Sequence, residues 1–106
     1  MRVLFDQGTP APLRRILSSH AVETAFECGW STLKNGELLT AAETAGFEVL
    51  VTTDANLRYQ QNLSARRIAI VVLSTTSWPR IRSASALVVD AVAQSPANHY
   101  VEVRIP

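Results

Sequence analysis

The chain has 106 residues, ten basic and nine acidic side chains and a formal net charge of +1; it is the size of a single domain spanning residues 1–106, and its balance argues neither for nor against a nucleic-acid partner. A domain this long removes roughly 65% of its unfolded surface from water, enough for a hydrophobic core. The lone cysteine, Cys28, excludes an internal disulfide, and with neither a basic-then-apolar leader nor an apolar run of membrane-spanning length, a cytoplasmic protein is expected.

Arg2-Val3-Leu4-Phe5-Asp6 reads as an apolar strand that ends in an aspartate. Gly8 and Thr9-Pro10 form a turn, and Thr9 is expected to cap a helix whose first turn accepts Pro10 and Pro12 and whose buried stripe is Leu13, Ile16 and Leu17. Ala21 to Phe26 alternates weakly and predicts a short strand, after which Gly29-Trp30-Ser31 opens a loop carrying Trp30 and Lys34. Asn35 is the expected N-cap of the next helix, with Leu38, Leu39, Ala42 and Ala45 at helical spacing and Gly46 as the C-cap glycine.

Val49-Leu50-Val51 begins an unbroken aliphatic run that ends in Thr52, Thr53, Asp54 and Asn56, the pattern of a strand buried on both faces that delivers polar groups to its C-terminal end. From Asn56 to about Leu63 apolar residues are sparse, which predicts a short exposed helix. Ile68 to Leu73 is the most hydrophobic run and a second fully buried strand, ending in the hydroxyls Ser74 to Ser77. Trp78-Pro79 starts a helix with Ile81, Ala84, Leu87, Val88, Ala91 and Val92 on one face, closed by Pro96. The tail from Tyr100 to Ile105 alternates as an edge strand. The alternation of strands and helices predicts an α/β fold, a three-layer α/β/α sandwich around a mainly parallel sheet.

In such a sheet the crevice outside the strand C-termini is the default ligand site, which brings forward Asp6 and Asp54. Two carboxylates suffice in principle for Mg²⁺, which keeps several waters in its shell. Glu37, in the first turn of its helix, is the third acid, and Asn35 a neutral ligand or water-positioning amide; such a cluster activates water against a phosphodiester. Each acid also has a structural reading: Asp54 as a helix cap, Asp6 in an Asx-turn, Glu37 as a carboxylate favoured by the helix dipole. Nine of the ten basic residues are arginine, which suits phosphate recognition and also follows from GC-rich coding. Arg58, Arg66, Arg67, Arg80 and Arg82, with Tyr59, follow the strand ends as candidate phosphate contacts, although arginines scattered over the surface would give the same one-dimensional pattern. Trp30 and Trp78 are candidates for base stacking or for lids on the core.

Leu4-Phe5-Asp6, the helix beginning at Asn35, and Val51-Thr52-Thr53-Asp54 together resemble the compact PIN-like domains of bacteria and archaea, over nearly the whole chain. The resemblance implies a ribonuclease dependent on Mg²⁺ or Mn²⁺, acting as a toxin held by a cognate antitoxin protein, with RNA as substrate and a homodimer as its assembly. It places metal and catalysis on Asp6, Glu37 and Asp54. It also identifies departures: Gln7, Asn35 and Asn56 stand where such domains carry acids, so a PIN-shaped module that binds RNA or a partner without cutting is the alternative.

Overall fold

The two longest aliphatic runs form the centre of the sheet. The structure, a computed structural model describing residues 1–60 and 62–106, has strands β1 (Arg2–Phe5), β2 (Ala21–Thr24), β3 (Val49–Thr52), β4 (Ala69–Leu73) and β5 (Tyr100–Val103). They are ordered β2-β1-β3-β4-β5, and every neighbouring pair is parallel. Every residue of β3 and β4 is buried, as central strands covered on both faces require. The helices are α1 (Leu13–Ile16), α2 (Asn35–Ala45), α3 (Leu57–Gln60), α4 (Trp78–Ser83) and α5 (Ser85–Asn98), with a single 3₁₀ turn at Leu63–Ala65.

Side chains alternate across each strand, and the alternation divides the core in two. Val3, Phe5, Val49, Val51, Val71 and Leu73 pack with residues of α1, α4 and α5 on one face. Leu4, Leu50, Ile70 and Val72 pack with Leu38, Leu39 and Ala42 of α2 and Leu57 of α3 on the other. The expected three-layer α/β/α arrangement is therefore present, with all five strands parallel. No helix among the described residues is long and apolar enough to cross a membrane.

Several local expectations are corrected. Pro12, not Thr9, precedes α1 as its N-cap; Thr9 is buried instead, and its hydroxyl serves the sheet edge. Lys34 rather than Asn35 is the N-cap of α2. The first crossover strand stops at Thr24, leaving Phe26 in the following turn. The expected helix from Asn56 to Leu63 is α3 followed by the 3₁₀ turn; residue 61 of that stretch lies outside the described residues. The long helix after Trp78 is broken at Ala84, where φ is −111° and ψ 25°. Just before the break the Ser83 hydroxyl donates to Pro79 C=O at 3.0 Å, a side-chain bond back onto the preceding turn that bends helices. Pro96 does not end α5 but lies within it. Gly46 caps α2 as expected, with φ at 89° in the left-handed region that glycine enters without a steric penalty.

Candidate functional site

The strand order sets the position of the site. From β1 the chain runs out to the edge strand β2, then returns past β1 to β3 and proceeds in the opposite direction to β4 and β5. The order reverses between β1 and β3, and α1 and α2 lie on opposite faces of the sheet. Such a reversal is where open parallel sheets form a crevice beyond the C-terminal ends of the two strands; the hollow that Asp6 lines is bordered by neither Asp54 nor Asn35. Asp6 follows β1 directly, and Asp54 follows β3 by two residues.

Thr52 connects the two aspartates. Phe5 is in register with Val51, so the next residue of each strand lies side by side, and the Thr52 hydroxyl donates to Asp6 Oδ2. The same hydroxyl oxygen accepts the Asp54 N–H at 3.0 Å. The other Asp6 oxygen, Oδ1, accepts the Thr9 N–H at 3.1 Å and faces the Thr9 hydroxyl at 2.7 Å. That hydroxyl also lies 2.9 Å from the Val51 carbonyl, so Thr9 fastens the β1–α1 loop to both strands. A Cβ at Gly8 would meet the Thr53 hydroxyl, so a side chain there needs Thr53 to turn aside.

Asp54 is held by amides. Its Oδ1 accepts the Asn56 N–H at 2.9 Å, an Asx-turn that leads the chain into α3. Its Oδ2 accepts Asn35 Nδ2 at 2.9 Å, and the same amide nitrogen is 2.8 Å from Gln60 Oε1. The structure thus brings Asp6, Asp54 and Asn35 into one network through Thr52. Asn56 takes part through its backbone. Gln7 does not join this network, since its amide donates to the Ser31 carbonyl. Glu37 is exposed, and its carboxylate accepts the Lys34 N–H at 3.4 Å, the arm of a capping box that satisfies the start of its own helix.

The predicted arginines are dispersed. Arg66 lies along α2, bonding the Gly36 carbonyl at 3.3 Å, Thr40 Oγ1 at 2.9 Å and Glu43 Oε1 at 3.0 Å, so its guanidinium is taken up by the helix. Arg67 lines a hollow at the N-terminal end of β4 with Glu43, Glu48 and His99. Arg80 donates to the carbonyls of Ile105 and Pro106, both at 3.0 Å. Arg58 pairs with Glu102 at 2.8 Å and lies over the Tyr59 ring at 4.7 Å. Beside that pair, burial first and then the Glu102 carboxylate push the Tyr100 phenol up to about 12.

Sequence reading gave Thr9 to a helix cap and Thr52 only to the polar end of its strand, and it missed Gln60. Thr52 was within reach of strand periodicity, because it shares a strand with Leu50 and a register with Asp6; Gln60 had no signal beyond lying one helical turn after Asn56. In kind, the donors suit a hard cation: two carboxylates and neighbouring amide carbonyls are oxygen ligands. Among the described residues no three His, Cys, Asp or Glu side chains converge, so Mg²⁺ or Mn²⁺ would rest on two carboxylates, an amide oxygen and water. Asn35 meets both Asp54 and Gln60 through its NH₂ group, a donor to two oxygens. In comparisons with known proteins, no family model, curated protein or solved structure matches the chain.

Proposed function

We propose that the crevice between β1 and β3 is the site of a metal-dependent ribonuclease of the PIN type, with Asp6 and Asp54 as the carboxylate ligands and Asn35 as the neighbouring amide. The observation that supports this reading is the Thr52 hydroxyl, which bonds the Asp6 carboxylate and the backbone N–H of Asp54 where the strand order reverses. A bound Mg²⁺ or Mn²⁺ would supply an activated water and neutralise charge on the phosphodiester. The chain's own contribution is orientation. Thr9 and Thr52 hold the Asp6 carboxylate, Asn35 and the Asn56 N–H hold that of Asp54, and neither swings freely. Glu37 is left out of the ligand set because its carboxylate serves the start of α2. Inhibition by a cognate antitoxin belongs to this reading through the resemblance alone.

A second reading, a PIN-shaped module that binds RNA or a partner protein without cutting, is favoured by the amide at position 35. There an N–H donor takes the place of a third carboxylate against Asp54. The two readings separate in one experiment, cleavage of single-stranded RNA with Mn²⁺ by the native protein and by Asp6→Asn. The nuclease reading expects a loss on the order of a hundredfold. Equal rates at background for both proteins would end the enzyme reading in favour of the binding module.

A further inference from the structure

Beside Asp6, the loop after β1, the turn after β2 and the segment leading into α4 border an open cavity of about 620 Å³. Two of its walls are aromatic. Phe26 is 78% exposed, held in a turn in which its carbonyl accepts the Gly29 N–H at 3.0 Å. Trp78 packs against the core on one side and lines the cavity on another. The Phe26 ring is therefore open to a ligand that enters the hollow it lines. Among the remaining walls are the uncharged hydrogen-bonding side chains Gln7, Thr24 and Thr76, together with the carboxylate of Asp6.

Cations lie around the cavity rather than in it. The adjoining depression that shares Phe26 carries Arg15 beside the Arg14–Glu27 ion pair, and the one that shares Trp78 carries Arg15 and Arg82. Both arginines are exposed, and neither is in an ion pair among the described residues. The Asp6 charge disfavours a phosphate in the interior, and its carboxylate, already bonded by Thr9 and Thr52, is an acceptor only. The rim does the reverse, attracting phosphates.

We infer that this cavity takes one base of a single-stranded oligonucleotide, stacked on Phe26 and Trp78, with the flanking phosphates on Arg15 and Arg82. Every base has a π-face, so stacking of this kind tolerates sequence, while the arginines make binding depend on salt. An aromatic side chain of a peptide would use the two rings but not the arginine pair. The inference takes from the proposed function only that the ligand is single-stranded nucleic acid; it needs neither metal nor cleavage.

The chain has two tryptophans, so Trp30→Phe leaves Trp78 as the sole reporter for titration with short oligouridylate and oligoadenylate in EDTA. Anisotropy of a labelled oligonucleotide on the otherwise native protein makes the same comparison without that change. Binding is expected to quench Trp78. Phe26→Ala weakens binding roughly tenfold and Phe26→Tyr restores it, while Arg15→Ala with Arg82→Ala lowers the salt slope by about 1 to 2. No binding by the native protein, native affinity in Phe26→Ala, or an unchanged salt slope in the arginine double variant would each overturn the inference. Binding that depends on Phe26 without any cleavage would count against the nuclease reading alone. Cleavage or binding indifferent to Phe26 would count against the cavity alone.

Discussion

The Thr52 hydroxyl donates to the Asp6 carboxylate while its oxygen accepts the Asp54 N–H, so one buried side chain, 2% exposed, sets the relation between two acids remote in sequence. Thr52→Val keeps the shape but removes the donor to Asp6 and the acceptor for Asp54. A loss of about 1–3 kcal/mol is expected in urea denaturation, with most of it recovered in Thr52→Ser. Unchanged stability in the valine variant would mean that the two aspartates are positioned independently.

Asn35→Asp replaces the N–H donor facing Asp54 with a second carboxylate. Without a divalent cation the like charges repel, and a destabilisation of about 1–2 kcal/mol is expected. Mn²⁺ should then raise the melting temperature of the variant more than that of the native protein, because a hard cation gains a charged oxygen ligand. Thermal denaturation of both proteins with and without Mn²⁺ makes the comparison. An equal Mn²⁺ response would argue against a cation resting between positions 35 and 54.

Glu43 joins the last turns of α2 to the start of β4. Its Oε1 lies 3.0 Å from Arg66 Nη1, and its Oε2 accepts the N–H groups of Arg67 and Ile68. Burial pushes its pKa up, but Arg66 and the two backbone donors together outweigh it and hold the carboxyl below its ordinary value. A folded pKa below the unfolded one stabilises the protein above the usual glutamate value of 4.5, and that stabilisation is lost as pH falls through the folded pKa. Glu43→Gln should therefore cost about 1–3 kcal/mol at neutral pH. The gap to the native protein should close as denaturation curves are taken to more acid pH. A gap independent of pH would assign the cost to packing.

Pro96 and Ser95 together explain why α5 runs past its proline. Pro96 has no N–H to offer the carbonyl four residues earlier, that of Val92. The Ser95 hydroxyl, fully buried, donates to that carbonyl at 2.8 Å instead. Ser95→Ala is expected to destabilise by about 1 kcal/mol or more in the native background. In the Pro96→Ala background it should cost less, because a backbone N–H then reaches Val92. A double-mutant cycle measures the coupling, and strict additivity would show that the hydroxyl does not compensate for the proline.

The order of elements was legible in the sequence because it rests on local pattern. Short, β-branched aliphatic runs at Val49–Val51 and Ile68–Leu73 bounded by polar residues read as covered strands, and helical spacing from Leu38 to Ala45 with Gly46 behind it specifies a capped helix. Alternation of the two types then implies a parallel sheet with helices on both faces. The failures came where a local signal met a partner it could not foresee: the good cap Thr9 was drawn into the sheet edge, and the stop signal Pro96 was answered by Ser95.

Which strand neighbours which is not written in any local pattern, since crossovers of similar length can place β2 on either side of β1. Tertiary structure alone decided that the order reverses between β1 and β3, and hence that Asp6 meets Thr52 and Asn35 meets Asp54. It also decided that Arg66 and Arg80 bond other parts of the chain, while Arg15 and Arg82 line depressions that adjoin the hollow holding Phe26 and Trp78. Composition and periodicity record how each segment is buried; the direction of a polar side chain beyond a strand end depends on the loops that pass over it, and those contacts exist only once the chain has closed on itself.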